Sequence, residues 1–198
     1  MKNVLVIHYS QSGQLTEILD NLTLPFTSDD EINITHYIIE MEKEFPFPWN
    51  KSAFFNAFPE SFLQIPAAIK PPSNAILEKQ YDLIILGYQV WYLSPSIPVN
   101  SFLKSAFAKQ IFKNTPVITV IGARNMWVKA QEKMKVLLTD VGANLVGNIA
   151  LVDRNINHVS VVTIVHWMFS GEKTKYLKKK TKPGVSESEI KNASKFGN

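Results

Sequence analysis

Short, continuous apolar runs recur along this chain, each bounded by a polar or glycine-bearing loop. Val4-Leu5-Val6-Ile7 within residues 3–9 and Leu83-Ile84-Ile85-Leu86 within 81–87 have this form, while Ile32 to Ile39, with Ile32, Ile34 and Tyr37-Ile38-Ile39, the run 115–121 and Asn144 to Val152 read as further strands. Continuous rather than alternating apolar character predicts strands buried on both faces, as in a parallel sheet. Between them the period changes to helical. Residues 13–22 read as a first helix, about 98–108 as a second, and a third reaches Val141 with Ala130, Met134, Leu137 and Leu138 on the same face. Strands alternating with helices imply right-handed βαβ crossovers, so the expected fold is α/β: a doubly wound, five-stranded parallel sheet between two helical layers. Val159 to Phe169 is apolar and β-branched but too short to span a bilayer, and it reads as a packed final helix or an extra strand.

One region breaks the pattern. Phe45 to Ser73 holds six prolines and a dense set of aromatics that includes Phe45, Phe47, Trp49, Phe54 and Phe58. The prolines argue against one long helix and the aromatics against a disordered linker, so the segment reads as an ordered insertion with short helices near 51–58 and 60–69. It covers a sheet edge, walls an apolar pocket or makes a homodimer contact; the sequence leaves these open.

Composition narrows the chemistry. Cysteine is absent, which removes disulfides, thiolate nucleophiles, iron–sulfur clusters and Cys-based zinc sites. The net charge of +4 is uneven: residues 172–198 carry eight lysines against three glutamates, leaving 1–171 close to neutral. The chain therefore divides into a domain, 1–171, and a basic tail, 172–198, expected to be solvated and partly disordered. No stacking aromatics alternate with its lysines, so nucleic acid is not the expected partner. The N-terminus lacks the layout of a secretory signal, and the expected location is the cytoplasm.

Three strand ends carry unusual residues. The first strand runs into Ser10, Gln11, Ser12, Gly13, Gln14, Leu15 and Thr16. Hydroxyls, amides and a glycine ahead of a helix suit an anion held on converging N–H groups at the helix N-terminus, although a plain polar turn capped by Ser12 has the same composition. Neither the lysine of a P-loop nor the further glycines of a dinucleotide fingerprint are present, so a single phosphate fits better than a nucleoside triphosphate or NAD. The third strand ends in Tyr88, Gln89, Val90, Trp91 and Tyr92, which offer aromatic planes. The fourth ends in Gly122, Arg124, Asn125 and Met126. Ligands of doubly wound sheets sit beyond the strand C-termini where strand order reverses, and FMN, with a phosphate at one end and a flat ring at the other, matches all three loops.

On these residues the chain resembles the flavodoxin-like superfamily, over about 1–155. The resemblance rests on Val4 to Thr16, on Tyr81 to Leu103 with its Gly-x-x-x-Trp-Tyr core, and on Val117 to Met126. It implies that Ser10 and Ser12 to Thr16 hold the FMN phosphate, that Tyr88 to Tyr92 flank the isoalloxazine, and that Gly122 to Met126 close its pyrimidine side. Gln14-Leu15 stands where the family usually has Asn-Thr, and Gln89 replaces a frequent proline. Tyr-Ser-Gln-Ser-Gly-Gln-Leu-Thr and Ile-Gly-Ala-Arg-Asn-Met-Trp are also similar to flavodoxin-like proteins known as dialkylresorcinol condensing enzymes, but no cysteine is available for condensation.

Two functions follow. One is an FMN-dependent oxidoreductase that reduces a quinone-like or other flat aromatic acceptor, with NAD(P)H as electron source, since hydride chemistry belongs to the cofactor and no protein nucleophile is needed. The other is a flavin-free accessory protein in aromatic lipid or pigment synthesis. His8, His36, His158 and His166 lack metal-ligand spacing, and no serine sits in a Gly-x-Ser-x-Gly elbow.

Overall fold

Strand order is β2-β1-β3-β6-β7, with all neighbours parallel. The computed structural model describes residues 1–124, 126–153, 157–172 and 183–197, with side chains of the helix 157–170 described from 162 onward. The strands are β1 (Lys2–His8), β2 (Ile32–Ile38), β3 (Leu83–Tyr88), β6 (Pro116–Ala123) and β7 (Asn144–Val152); β4 (Val90–Trp91) and β5 (Ser94–Pro95) form a separate hairpin. The doubly wound five-stranded sheet expected from the apolar runs is therefore present.

Alternation along the central strands sends successive side chains to opposite faces. Leu5, Ile7, Ile84 and Leu86 meet α4 (Ile97–Leu103), α5 (Ala106–Phe112) and α6 (Val128–Asp140) through Phe102, Phe112 and Met134. On the other face Val4, Val6, Ile85 and Val120 meet α1 (Gln14–Thr23) through Leu15, Ile18, Leu19 and Leu22. That second face is completed by Val185, Ile190 and Ala193, from a strap at 183–197 that includes the short α8 (Glu187–Lys191). Charge alone had grouped the strap with a solvated tail. Lys173, Lys175, Lys178, Lys179, Lys180 and Lys182 fall outside the described residues.

Two helical expectations change. The region 98–108 is not one helix: Lys104 ends α4, and Ser105 caps α5 by accepting from the Ala108 N–H at 3.3 Å. In the insertion a single helix, α2 (Lys51–Leu63), runs through Pro59, capped by Asn50 accepting from the Ala53 N–H at 2.8 Å. Proline costs one rung of the ladder, which a helix packed against α4 and the hairpin tolerates. A short helix, α3 (Asn74–Leu77), precedes β3. The apolar segment after β7 is α7 (Asn157–Ser170), the helical alternative; no helix among the described residues is long and apolar enough to cross a membrane.

A polar chain crosses the first core. The Tyr88 hydroxyl donates to Gln131 Oε1 at 2.6 Å, Gln131 Nε2 donates to Thr119 Oγ1 at 3.3 Å, and Thr119 donates to Asn148 Oδ1 at 2.9 Å. Burial pushes the Tyr88 phenol far up, so it stays a donor. Tyr88→Phe leaves Gln131 Oε1 buried without its donor and should lose about 1–3 kcal/mol in urea unfolding; unchanged stability would mean that the chain of hydrogen bonds contributes nothing.

Candidate functional site

α1 begins at Gln14, directly after Gly13, which takes a left-handed φ of 79° that a side chain would resist. No side chain caps this helix; the first internal rung is the Glu17 N–H to Gly13 O at 3.1 Å. The amides of Gln14, Leu15 and Thr16 have no intrahelical acceptor by geometry, and they point at the C-terminal end of β1 with the positive end of the helix dipole. Beside them Ser10 Oγ and Gln11 Oε1 are buried without a hydrogen-bond partner. An anion at the helix end would supply the acceptor that Ser10 lacks.

Other loop residues are spoken for. The Gln11 N–H donates to Gln89 Oε1 at 3.3 Å and Gln11 Nε2 to Pro46 O at 2.7 Å, so Gln11 ties the first loop to the third-strand loop and the insertion. The Gln14 side chain turns away to the strap. Thr16 Oγ1 lies 2.9 Å from His8 Nε2. His8 is buried, and burial, with a smaller contribution from His36, pushes its imidazole down to about 4, so it is neutral near pH 7. With the proton on Nε2, His8 donates to Thr16 and leaves the threonine O–H free to donate onward.

The aromatic side is built on a tight hairpin. Trp91 pairs with Ser94, and the two residues between them, Tyr92 at φ 49° and Leu93 at φ 62°, both occupy the left-handed region required by a type I′ turn. Glycine and asparagine normally fill these places; here each side chain costs on the order of 1–3 kcal/mol. Compensating contacts come from α2. The Tyr92 hydroxyl donates to Phe54 O, its ring packs on Phe54 and Phe58, and Ser61 Oγ donates to Trp91 O at 2.9 Å. Lys133 fixes the other limb by donating to Ser94 Oγ at 2.7 Å.

Between these parts lies a cavity of about 330 Å3, within the range of small-molecule sites, roughly 300–1,000 Å3. Of the expected residues, Gln11, Ser12, Gln14, Leu15, Gln89, Val90, Trp91, Tyr92, Gly122, Arg124 and Met126 line it. Ser10, Gly13 and Thr16 belong to the adjoining loop and helix end. Tyr88 does not reach the cavity, because as the last residue of β3 it points into the core and bonds Gln131. Asn125 lies outside the described residues.

Three further walls complete it: Phe47 and Trp49 of the insertion, which takes up one of the roles left open for it, and, unassigned from the sequence, Ile164, Trp167 and Met168 of α7 and Gly184 with Val185 of the strap. The insertion is seated on α7 by the Trp49 N–H to Met168 O bond of 2.7 Å and by Phe47 against Trp167. Trp91 is held edge-to-face by Tyr9, Phe45 and Trp49, with centroids 6.1, 5.1 and 5.2 Å away. The density of aromatics was the available signal for the first wall. Nothing in the lysine-rich C-terminal sequence pointed to the third.

No family model and no curated protein matches the sequence. Solved structures do match. A flavoprotein of Lactobacillus acidophilus in complex with FMN is similar over 76% of this chain and 93% of its own, at 14% identity and a TM-score of 0.56. A provisionally assigned flavoprotein of Bacteroides eggerthii covers 76% of this chain and 89% of its own, at 15% identity and TM-score 0.58. A flavodoxin from the Archaea covers 98% and 93%, at 10% and 0.51. With the strand order above, they give this chain the flavodoxin-like fold.

The buried imidazole has a measurable consequence. His8 takes a proton near pH 6.5 in the unfolded chain but near 4 in the folded one. Between those values the unfolded state binds more protons, so stability falls as pH drops through the window and is fully present above it. His8→Gln should flatten this part of the urea-stability profile by about 3 kcal/mol relative to the parent chain; parallel profiles would show that His8 does not titrate as a buried neutral group.

Proposed function

We propose that this chain is an FMN-binding oxidoreductase acting on a bulky, flat, apolar acceptor of the quinone type. The observation that carries the reading is the sharing of one cavity by an uncapped helix N-terminus, beside the unpartnered Ser10 hydroxyl, and an aromatic wall. The similar Lactobacillus protein is in complex with FMN, which supports the same ligand here.

In this reading the amides of Gln14, Leu15 and Thr16, the N–H of Ser12, and the hydroxyls of Ser10 and Thr16 hold the phosphate. The helix end supplies the complementary charge without a lysine. Val90, Trp91 and Tyr92, with Gly122 and Met126, would hold the ring. Burial of the Tyr92 phenol pushes it up to about 12, so it stays protonated on Phe54 O and keeps the hairpin fixed. FMN when bound carries the hydride; the protein orients it and excludes water.

The acceptor follows from the added walls. Phe47, Trp49, Trp167 and Met168 offer rings and a thioether, which suit a large apolar partner better than a small polar one. A nicotinamide donor is the corresponding electron source. The competing reading is a flavin-free accessory or binding protein in aromatic lipid or pigment synthesis, such as that of dialkylresorcinols. It is favoured by the two loop groups already satisfied within the chain, the Gln11 N–H and the Gln14 amide.

Titration of the purified protein with FMN, followed by quenching of flavin fluorescence, separates the two. Saturable micromolar binding of FMN, with riboflavin at least tenfold weaker, is expected; no FMN binding would leave the accessory role. With FMN loaded, NAD(P)H should reduce a hydrophobic quinone faster than a small hydrophilic one, and the reverse order would reject the apolar-acceptor assignment.

A further inference from the structure

We propose that residues 183–197 are a clasp on the anion cradle, latched by the side chain of Gln14, and that cofactor retention depends on its closure. This rests on the FMN reading for its ligand but on the strap's own geometry for its mechanics. Gln14 is the first residue of α1 and only 9% exposed. Its Oε1 accepts from the Val185 N–H at 3.1 Å and its Nε2 donates to Val185 O at 3.3 Å. Both ends of the amide are thus consumed by one backbone unit, as a neighbouring strand would consume them.

The preceding residue is shaped for this latch. Gly184 has φ +84°, and a Cβ there would lie 2.5 Å from Gln14 Oε1 and 2.9 Å from Nε2. A side chain there would have to push the Gln14 amide out of the latch, and the left-handed φ favours glycine on its own account. Beyond it, Ser186 caps α8 by accepting from the Glu189 N–H at 3.3 Å, and Ile190 and Ala193 pack beside α1, against its sheet-facing side chains and the sheet. A Cβ on Gly197 would collide with Leu22 O, so the strap follows α1 from its first turn to its last.

Gly184 and Val185 also face the cavity beside Gln14 and Leu15. Release of the latch would therefore open one wall next to the phosphate position and uncover α1, whose N-terminal amides form the cradle. In this arrangement the Gln14 side chain is a positioning group; its backbone N–H remains with the anion. Coupling between two such sites is reciprocal: if closure favours the ligand, the ligand must favour closure.

Hydrogen exchange and flavin release test this on the full chain. Bound FMN should slow exchange of strap amides 187–196 by about 5–150-fold, the usual span of such coupling. Gln14→Leu should speed that exchange in the flavin-free protein and raise the FMN release rate about tenfold. Gly184→Ala should do the same in the parent chain and less in a Gln14→Ala background, where the side chain it would strike is gone and only the strain of the left-handed φ remains. This cycle remains informative if one variant is poorly stable. A folded Gln14→Leu protein with parental strap exchange and parental FMN release overturns the clasp. Weaker FMN binding with unchanged strap exchange overturns it too, because Gln14 then acts on the phosphate directly. If the parent chain binds no FMN, the cofactor reading fails with the retention claim, and strap exchange in the flavin-free variants alone decides whether the latch exists.

Discussion

β1 and β3 lie side by side at the centre of the sheet, yet the chain leaves them for opposite faces. After β1 it turns into α1 on one side, and after β3 it passes through the hairpin into α4 on the other. Two loops that part above adjacent strands cannot fill the space between them, and a crevice forms at that end of the sheet. The site elements are responses to this gap: the helix end at Gln14, the hairpin at Trp91, and the Gly122 loop one strand over. The crevice is fixed because its floor is fixed, since Ile7, Leu86 and Ile121 are all buried in the adjoining core.

The insertion gives the crevice its chemical character. At its base Met41 bridges Ile69, and Lys70 N–H donates to Glu40 O at 2.9 Å, so the excursion leaves and returns at one point. Asn100 on α4 and Lys104 at its end donate to Gln64 O at 3.0 and 2.6 Å, anchoring the end of α2 to that helix. Thus anchored, α2 can hold Tyr92 and Leu93 in a turn that neither residue favours. The strain is local, and the aromatic contacts that offset it are distributed over α2, the hairpin and α7. An unstrained Asn-Gly turn would have given the hairpin its shape without rings to place at the cavity.

The central strands were readable because burial on both faces requires unbroken apolar runs, as in β1 and β3; the edge strand β7, half-exposed along its length, still matches the expected Asn144 to Val152 end to end. Ser10 to Thr16 could be singled out because hydroxyls, amides and a glycine gather ahead of a helix, and Gln11, Ser12, Gln14 and Leu15 of that run do line the cavity. What failed to show depended on distant partners. Tyr88 is one residue inside the strand rather than in the loop, and its direction is set by the pleat and by Gln131, a polar residue on the buried face of α6. Pro59 argues locally against a helix, but contacts with α4 and the hairpin override it. The break at Ser105 hid within a stretch of acceptable helix formers. In the strap, Val185, Ile190 and Ala193 are too sparse among serines and charges to register as a core segment.

Gln14 and Val185 are separated by 171 positions in the chain. Closing a loop of that length in an unfolded chain costs on the order of 4–5 kcal/mol in entropy, far more than two neutral hydrogen bonds return. On its own the contact is therefore unfavourable, and it is sustained by the assembled sheet that holds the intervening chain in place. Contacts that form after the rate-limiting step slow unfolding rather than speed folding. A strap that docks after that step would lengthen the lifetime of the folded state without quickening its formation.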